Sequence, residues 1–364
     1  MRPGHNALAA VPATRQNPPR TVPEAPKTMT IRRRALLGTA ATFPALPALV
    51  APRDARAQDT FPSRTLRLVV PFAPGGSVDM TGRLMAQMLQ PVLGQTVVVD
   101  NRGGAGGNLG AAEAARSEPD GHTMLLASAS ILAANKFLYT KSMPIDPMTD
   151  LAPVTRVTTG TVFMTVKADS PYRTFQDVIA AAKKDPGGLT MGSSGTGTIS
   201  HLTISKVCRA TGADITHVPY RGGAPALQDL LAGNIDMMFD VIPLAMAHVR
   251  EGRLRVLAAA SAERVTYVPE LRDVPGMKEL LPGAGIDMQS WYGINVPAGT
   301  PENRIAALHK AIVSVVDTAE FREKMEPNGF TTIVDASPAA YGAYTRSQEA
   351  VWKALVAESG ASLD

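Results

Sequence analysis

The chain has 364 residues, with 36 basic and 32 acidic side chains, a formal net charge of +4 and one cysteine. A lone Cys208 excludes an internal disulfide and any cysteine-built metal cluster. The positive balance belongs to residues 1–57: without their nine basic and two acidic groups, 27 basic and 30 acidic remain, a net of about −3, and nucleic-acid binding loses its main support.

Residues 1–28 are rich in Pro, Ala and Arg and lack periodicity, so they read as a disordered extension, and Met29 could be the true initiator. Arg32-Arg33-Arg34, the mostly apolar stretch from Ala35 to Ala51 and the small-x-small Ala55-Arg56-Ala57 have the order of an export signal cleaved before Gln58. Thr30 to Leu37 also has the form of a twin-arginine signal, which exports an already folded protein. A membrane anchor is the weaker reading, because the run is short and Pro44 and Pro47 interrupt it. The expected mature chain, Gln58 to Asp364, is long enough for two lobes with cores of their own.

Strand and helix signals alternate from there on, which predicts α/β layers with parallel strands. Leu68 to Val70 reads as a buried strand stopped by Pro71 and Pro74. The pair Gly75-Gly76 turns the chain, and Ser77 or Asp79 can cap a helix carrying Leu84, Met88, Leu89 and Val92. A strand, a glycine turn and a helix start together present free N–H groups that can hold an anion. The bland alternative is a tight connection. A second strand, Thr96 to Asp100, enters the glycine-rich Asn101 to Gly110, and a third, Thr123 to Ala127, ends at Ser128 and Ser130. Pro144 to Pro153 reads as a loop and Val162 to Val166 as a strand leading into a second lobe. Thr174 to Asp177 opens a helix in capping-box style.

The strand–loop–helix device then recurs. Leu189 to Gly192 leads into Ser193-Ser194-Gly195-Thr196-Gly197-Thr198 and a helix from His201, and Asp214 to Val218 leads into Pro219-Tyr220-Arg221-Gly222-Gly223 and a short helix. Ile235 to Phe239 is a strand with Asp240 at its end, Leu244 to Arg250 a helix, and Val256 to Ala260 a strand. Trp291 to Val296 returns the chain to the first lobe, where helices at Pro301 to Ala319 and Pro338 to Ser359 finish it. The expected lobes are residues 58–160 with 291–364, and residues 161–290.

Six segments in this order resemble one family, the Bug-type periplasmic solute-binding receptors of tripartite tricarboxylate transporters. They are Pro71 to Asp79, Asn101 to Asn108, Pro119 to Thr123, Gly192 to Thr198, Val218 to Gly222, and Trp291-Tyr292-Gly293 with Pro297 to Pro301. The resemblance implies a bilobed α/β fold of the periplasmic-binding-protein type (type II), with crossing segments between the lobes and a cleft that closes on a carboxylate. It implies a monomeric receptor in the periplasm that hands a di- or tricarboxylate, an aromatic acid or an acidic amino acid to membrane permease subunits, with no cofactor and no catalysis. The loop Pro74-Gly75-Gly76-Ser77, with Phe72 beside it, would supply N–H groups, partly through water. The loop Ser193, Ser194, Gly195, Thr196 and Thr198 would supply N–H and hydroxyl groups from the other lobe. The stretch Glu263 to Gly285 is longer than the family leads one to expect.

Other residues keep two readings. Ser128 could donate a hydroxyl or be a turn residue, and His201 could face the cleft or, more in keeping with its place one turn after Thr198, cap the loop. Tyr220 and Arg221 could form a wall and a distal positive charge for a second carboxylate, or a salt bridge holding their own loop. Asp240 could accept an ammonium or hydroxyl from a ligand, bind bridging water, or cap a helix. Asp79 suits a helix cap, since a carboxylate beside an anionic ligand repels it, and Trp291 and Tyr292 suit the core. The competing class is an exported α/β enzyme that binds a nucleotide or acts as a hydrolase. Gly104-x-Gly106-x-x-x-Gly110 departs from dinucleotide spacing, Gly192-Ser193-Ser194-Gly195 is one residue short of a nucleophile elbow, and the five histidines beyond residue 57 lack zinc-ligand spacing.

Overall fold

The computed structural model describes residues 60–359 and 361. The extension, export signal and cleavage site expected within residues 1–57 lie outside them. In chain order the elements are β1 (Leu66–Val70), α1 (Ser77–Leu93), β2 (Val97–Asn101), α2 (Asn108–Ala115), β3 (Thr123–Ser128), a π-helical turn (Ser130–Ala134) running into α3 (Asn135–Leu138), and β4 (Leu151–Lys167). Then come α4 (Phe175–Lys184), β5 (Thr190–Ser193), α5 (Ile199–Thr211), β6 (Thr216–Pro219), α6 (Gly223–Ala232), β7 (Met237–Val241), α7 (Pro243–Arg250), β8 (Leu254–Ala259) and α8 (Met277–Leu280). The chain closes with β9 (Gln289–Pro297), α9 (Glu302–Val316), α10 (Ala319–Met325), β10 (Phe330–Thr332) and α11 (Pro338–Ser359).

The strands form one path, β2-β1-β3-β9-β4-β7-β5-β6, with β10 and β8 also paired to β4. Within each half the expectation of parallel strands holds: β1 pairs in parallel with β2 and β3, and β5 with β6 and β7. It fails at the centre, where β9 and β4 run antiparallel to every partner. Those two carry the chain between halves, so their direction follows from where they must arrive, which local alternation does not encode. Residues Leu151 to Thr161 of β4 pair with β9, and Val162 to Val166 pair with β7, so the strand belongs to both sides of a bilobed molecule.

β4 also corrects the expected loop, since it begins at Leu151 and runs for 17 residues. Its middle is rich in threonine and reads as polar, yet Thr155, Thr158, Thr161 and Thr165 are buried. Being β-branched, they fit a pleated strand, and Thr161 and Thr159 satisfy their hydroxyls on the carbonyls of Met288 and Ser290 at 2.9 and 3.0 Å. The long stretch 263–285 is accounted for by packing. Val265, Val268, Leu271 and Val274 bury into a cluster with Phe163, Leu230 and Met246, each such side chain contributing about 1.5–3 kcal/mol when fully buried.

Two devices fix the loops after the strands. Gly110 lies so close to the first loop that a Cβ there would come within 2.6 Å of the Arg102 carbonyl and 2.9 Å of Pro71. Only glycine lets α2 approach so far. At α1 the cap is Gly76, in extended backbone, rather than Ser77 or Asp79. Asp79 instead reaches back, accepting the N–H of Gly75 at 2.8 Å, Arg83 Nε at 2.8 Å and Asn101 Nδ2 at 2.9 Å. Burial alone would raise its pKa, but these three donors hold it below the usual carboxylate range. The capping box at α4 is present as expected: Asp177 N–H donates to Thr174 Oγ1 at 3.1 Å and Thr174 N–H to Asp177 Oδ2 at 2.9 Å.

Candidate functional site

Three helices begin at one cavity. α1 comes from the β1 side and starts at Gly76, while α5 and α6 come from the β5 side and start at Thr198 and Gly222. None of these caps places a side chain on the first N–H groups of its helix. Thr198 turns its hydroxyl the other way, donating to the Gly195 carbonyl at 2.6 Å. Such helix starts leave N–H donors unpaired and carry the positive end of the helix dipole. The crevice they share is a cavity of about 30 Å³. Gly76, Ser77 and Val78 line it from one side, and Ser194, Thr198, Ile199 and Gly223 from the other. Gly76 and Ser194 therefore face a common space. Phe72, Ser128, Ser130, Asp240, Val241, Ser290 and Tyr292 complete the wall, and none of the lining residues is Lys, Arg or His.

The polar side chains here fall into two groups. Ser128, at the end of β3, is buried, and its Oγ has no hydrogen-bond partner among the described residues. A buried hydroxyl left unpaired is costly, and it becomes useful once something fills the cavity. On the other side a chain of bonds runs inward. Ser194 Oγ lies 2.9 Å from Ser200 Oγ, and the Ser200 hydroxyl donates to Asp240 Oδ1 at 3.1 Å. Oδ1 also accepts the Val241 N–H at 2.8 Å. A Cβ on Gly223 would fall 2.0 Å from Asp240 Oδ2, so the carboxyl stands directly against the start of α6. Burial pushes Asp240 up to about 6, against the lowering effect of its bonds to Val241, Ser200 and Ser194. Tyr292 is raised well above its ordinary pKa by burial and by the neighbouring Asp240 charge.

Three hydrogen bonds join the halves around this crevice. Ala73 N–H donates to the Arg221 carbonyl at 3.1 Å, Ser77 Oγ to the Val241 carbonyl at 3.4 Å, and Tyr139 Oη to the Thr196 carbonyl at 3.1 Å. A second cavity, about 230 Å³, adjoins the first through Phe72 and Ser194. Its walls are the backbone of Gly104 to Gly107, Tyr139, Gly195, Thr196, Tyr220 and Arg221. Tyr220 is held away from its own loop by a 2.7 Å bond from its hydroxyl to Asp229 Oδ2. Arg221 is exposed, and its guanidinium has no partner among the described residues, so the loop-holding salt bridge is not formed.

Of the residues singled out in the sequence, Phe72, Gly76, Ser77, Ser128, Ser194, Thr198 and Asp240 line the first cavity. Gly195, Thr196, Tyr220 and Arg221 line the second. Pro74 and Gly75 are exposed outside both, and the Gly75 N–H is taken by Asp79. Ser193 is fully buried beneath its loop. Its Oγ accepts the Gly195 N–H at 3.2 Å and lies 2.6 Å from His217 Nε2. His201 stacks on His217 at 4.3 Å and accepts the Gly197 N–H at Nδ1, 3.2 Å away, which is the loop-holding role. Burial, reinforced by the neighbouring His201, lowers His217 to about 4, so the pair is neutral near neutral pH. Ser193 and His217 have the contact of a nucleophile and its base, yet neither lines either cavity.

Tyr292 is buried in the core as expected, but sequence reasoning missed that it also lines the cavity, as does Ser290, two residues before it on the same face of β9. Alternation along Ser290 and Tyr292 marks a shared face but not which side of the sheet holds the cavity. Gly223 closes a loop that was recognised, and Ser130 follows Ser128 at the strand end, so both carried a usable signal.

The profile described as "Tripartite tricarboxylate transporter family receptor" matches residues 81–361. Protein BugT of Bordetella pertussis is 34% identical over 329 residues, covering 90% of this chain and 98% of its own. An R. palustris protein solved with adipate is 31% identical with a TM-score of 0.78, covering 83% of this chain and 100% of its own. MatC from Rhodopseudomonas palustris, solved with bound malate, is 30% identical with a TM-score of 0.75, covering 81% and 100%.

Proposed function

Since the chain belongs to the tripartite tricarboxylate transporter family of receptors, we propose that it captures a small organic carboxylate by closing its two lobes and delivers it to membrane permease subunits. The observation that carries this reading is the meeting of three uncapped helix starts, from both halves, at a crevice without a basic side chain. Several N–H donors, each gaining from the dipole of its helix, stabilise a carboxylate without the desolvation cost of burying Lys or Arg. Ser128 adds a hydroxyl that has nothing else to bind. Adipate and malate in the relatives are of the expected chemical class. The second cavity, with Arg221 and Tyr220 on its wall, takes the far end of a longer acid. The lobes run over 58–160 with 291–364, and 161–290. The receptor acts as a periplasmic monomer, exported by its leader, and does no chemistry on its guest.

The test is calorimetry on refolded, ligand-free protein against malate, adipate, succinate, citrate, benzoate and glutamate. One acid binds tightly, and Ser128→Ala weakens it about 5- to 30-fold, the loss of one buried hydrogen bond, while thermal stability stays level or rises. Failure of all six acids to bind overturns the reading.

A further inference from the structure

Asp240 is at odds with its surroundings. It is a buried carboxyl on the wall of a crevice where three helix starts meet, and no cation among the described residues compensates it. Around it, α5 contributes Ser200, the loop before α5 Ser194, α6 Gly223, α7 Leu244 and β4 Phe163, none of which titrates. The titratable group facing it is the Tyr292 phenol of β9, whose raised pKa keeps it neutral. Asp240 accepts the Val241 N–H and the Ser200 hydroxyl at Oδ1 and is also bonded by Ser194, while Oδ2 stands against the start of α6. Three helix starts supply about half a positive charge each. That is enough for one carboxylate, but a second ionised carboxylate in contact with the first is strongly disfavoured.

Resting on the receptor reading above, we infer that Asp240 is protonated when the cleft closes on its ligand and donates Oδ2–H to the ligand carboxylate, so that capture takes up one proton from solvent. The carboxyl is then a donor beside the helix N–H groups, and the site holds a single negative charge. Its upward-shifted pKa in the unliganded protein agrees with this direction. An acid that instead offers Asp240 a hydroxyl or ammonium donor would need no such proton.

Calorimetry with succinate and with adipate, which carry neither hydroxyl nor ammonium, in buffers of small and large ionisation enthalpy at about pH 6, 7 and 8, reads the proton directly. The wild type is expected to take up close to one proton per acid bound at the upper two values and to lose about tenfold in affinity between them. Asp240→Asn keeps the acceptor for Val241 and Ser200 and places an N–H where Oδ2–H stood. Its affinity should no longer vary with pH, and its proton uptake should vanish. Tight binding by the wild type without proton uptake overturns the inference and leaves the receptor reading intact. So does an Asp240→Asn protein that is folded by circular dichroism but binds neither acid at any pH, since that marks a charged acceptor. If the wild type binds neither acid nor any other in the panel, the receptor reading falls and this inference with it.

Discussion

Asp240 affects stability as well as binding. Its pKa in the native protein, about 6, lies above the ordinary 3.8 because burial penalises the charged form. Between these values the native state keeps a proton that the unfolded chain has lost, so this group favours folding most at low pH and that contribution disappears as pH rises through 6. The full difference is on the order of 3 kcal/mol. Urea denaturation of wild type and Asp240→Asn should therefore give similar stabilities at about pH 4 and an advantage for the Asn variant of about 2–3 kcal/mol at pH 8. A gap that stays constant with pH would mean that the native carboxyl titrates like an exposed one. Asp79 behaves in the opposite sense, because one of its three donors is the Arg83 guanidinium, whereas the donors on Asp240 are all neutral.

Helix starts act together, and α1 comes close to α6 at Gly76. A Cβ there would lie 3.6 Å from the Ala73 carbonyl and 3.8 and 3.9 Å from the amides of Gly223 and Ala224, all ordinary contacts, at an unstrained φ of −79°. Alanine is thus accommodated. Valine adds two branches at the seam where the α1 and α6 amides converge. Gly76→Val should keep the wild-type melting temperature within a few degrees and lower affinity by more than tenfold, read by thermal scanning and calorimetry on one sample. Unchanged affinity would show that the ligand does not sit against these amides. By contrast the pairing of Arg156 with Asp335 at 2.7 Å, and its guanidinium 3.6 Å from the centre of the Tyr344 ring, fasten β4 to α11 and the segment before it, away from the crevice.

For the whole molecule, hydrogen bonds between the halves meet across a shared pair of strands, and closure as proposed above would rest on such weak contacts. The bonds from Ala73, Ser77 and Tyr139 join the two halves, so under the proposed closure they would favour the closed population without touching the interior of either half. Tyr139→Phe removes one of them and keeps the ring. Stopped-flow measurement should find ligand release about three- to tenfold faster with association little changed, the equivalent of one modest hydrogen bond. Identical release rates would assign closure to other contacts.

Local patterning in the sequence determined the three strand–loop–helix units, the capping box at Thr174 and the donor-rich loops of both halves, because glycine turns and helix starts depend on neighbours a few residues away. It also marked Ser128 and Asp240 as strand-end polar residues with more than one reading each. Tertiary structure placed both on the wall of one cavity. Tyr292 reached the cavity because β9 pairs with β3 in the register Ser128 to Tyr292, a match between residues more than 160 positions apart. The threonine-rich β4 became a strand because both sheets needed it, against its polar appearance. Asp240 owes its altered acidity to segments that meet only on folding, since desolvation depends on everything around a group while sequence records only what lies beside it.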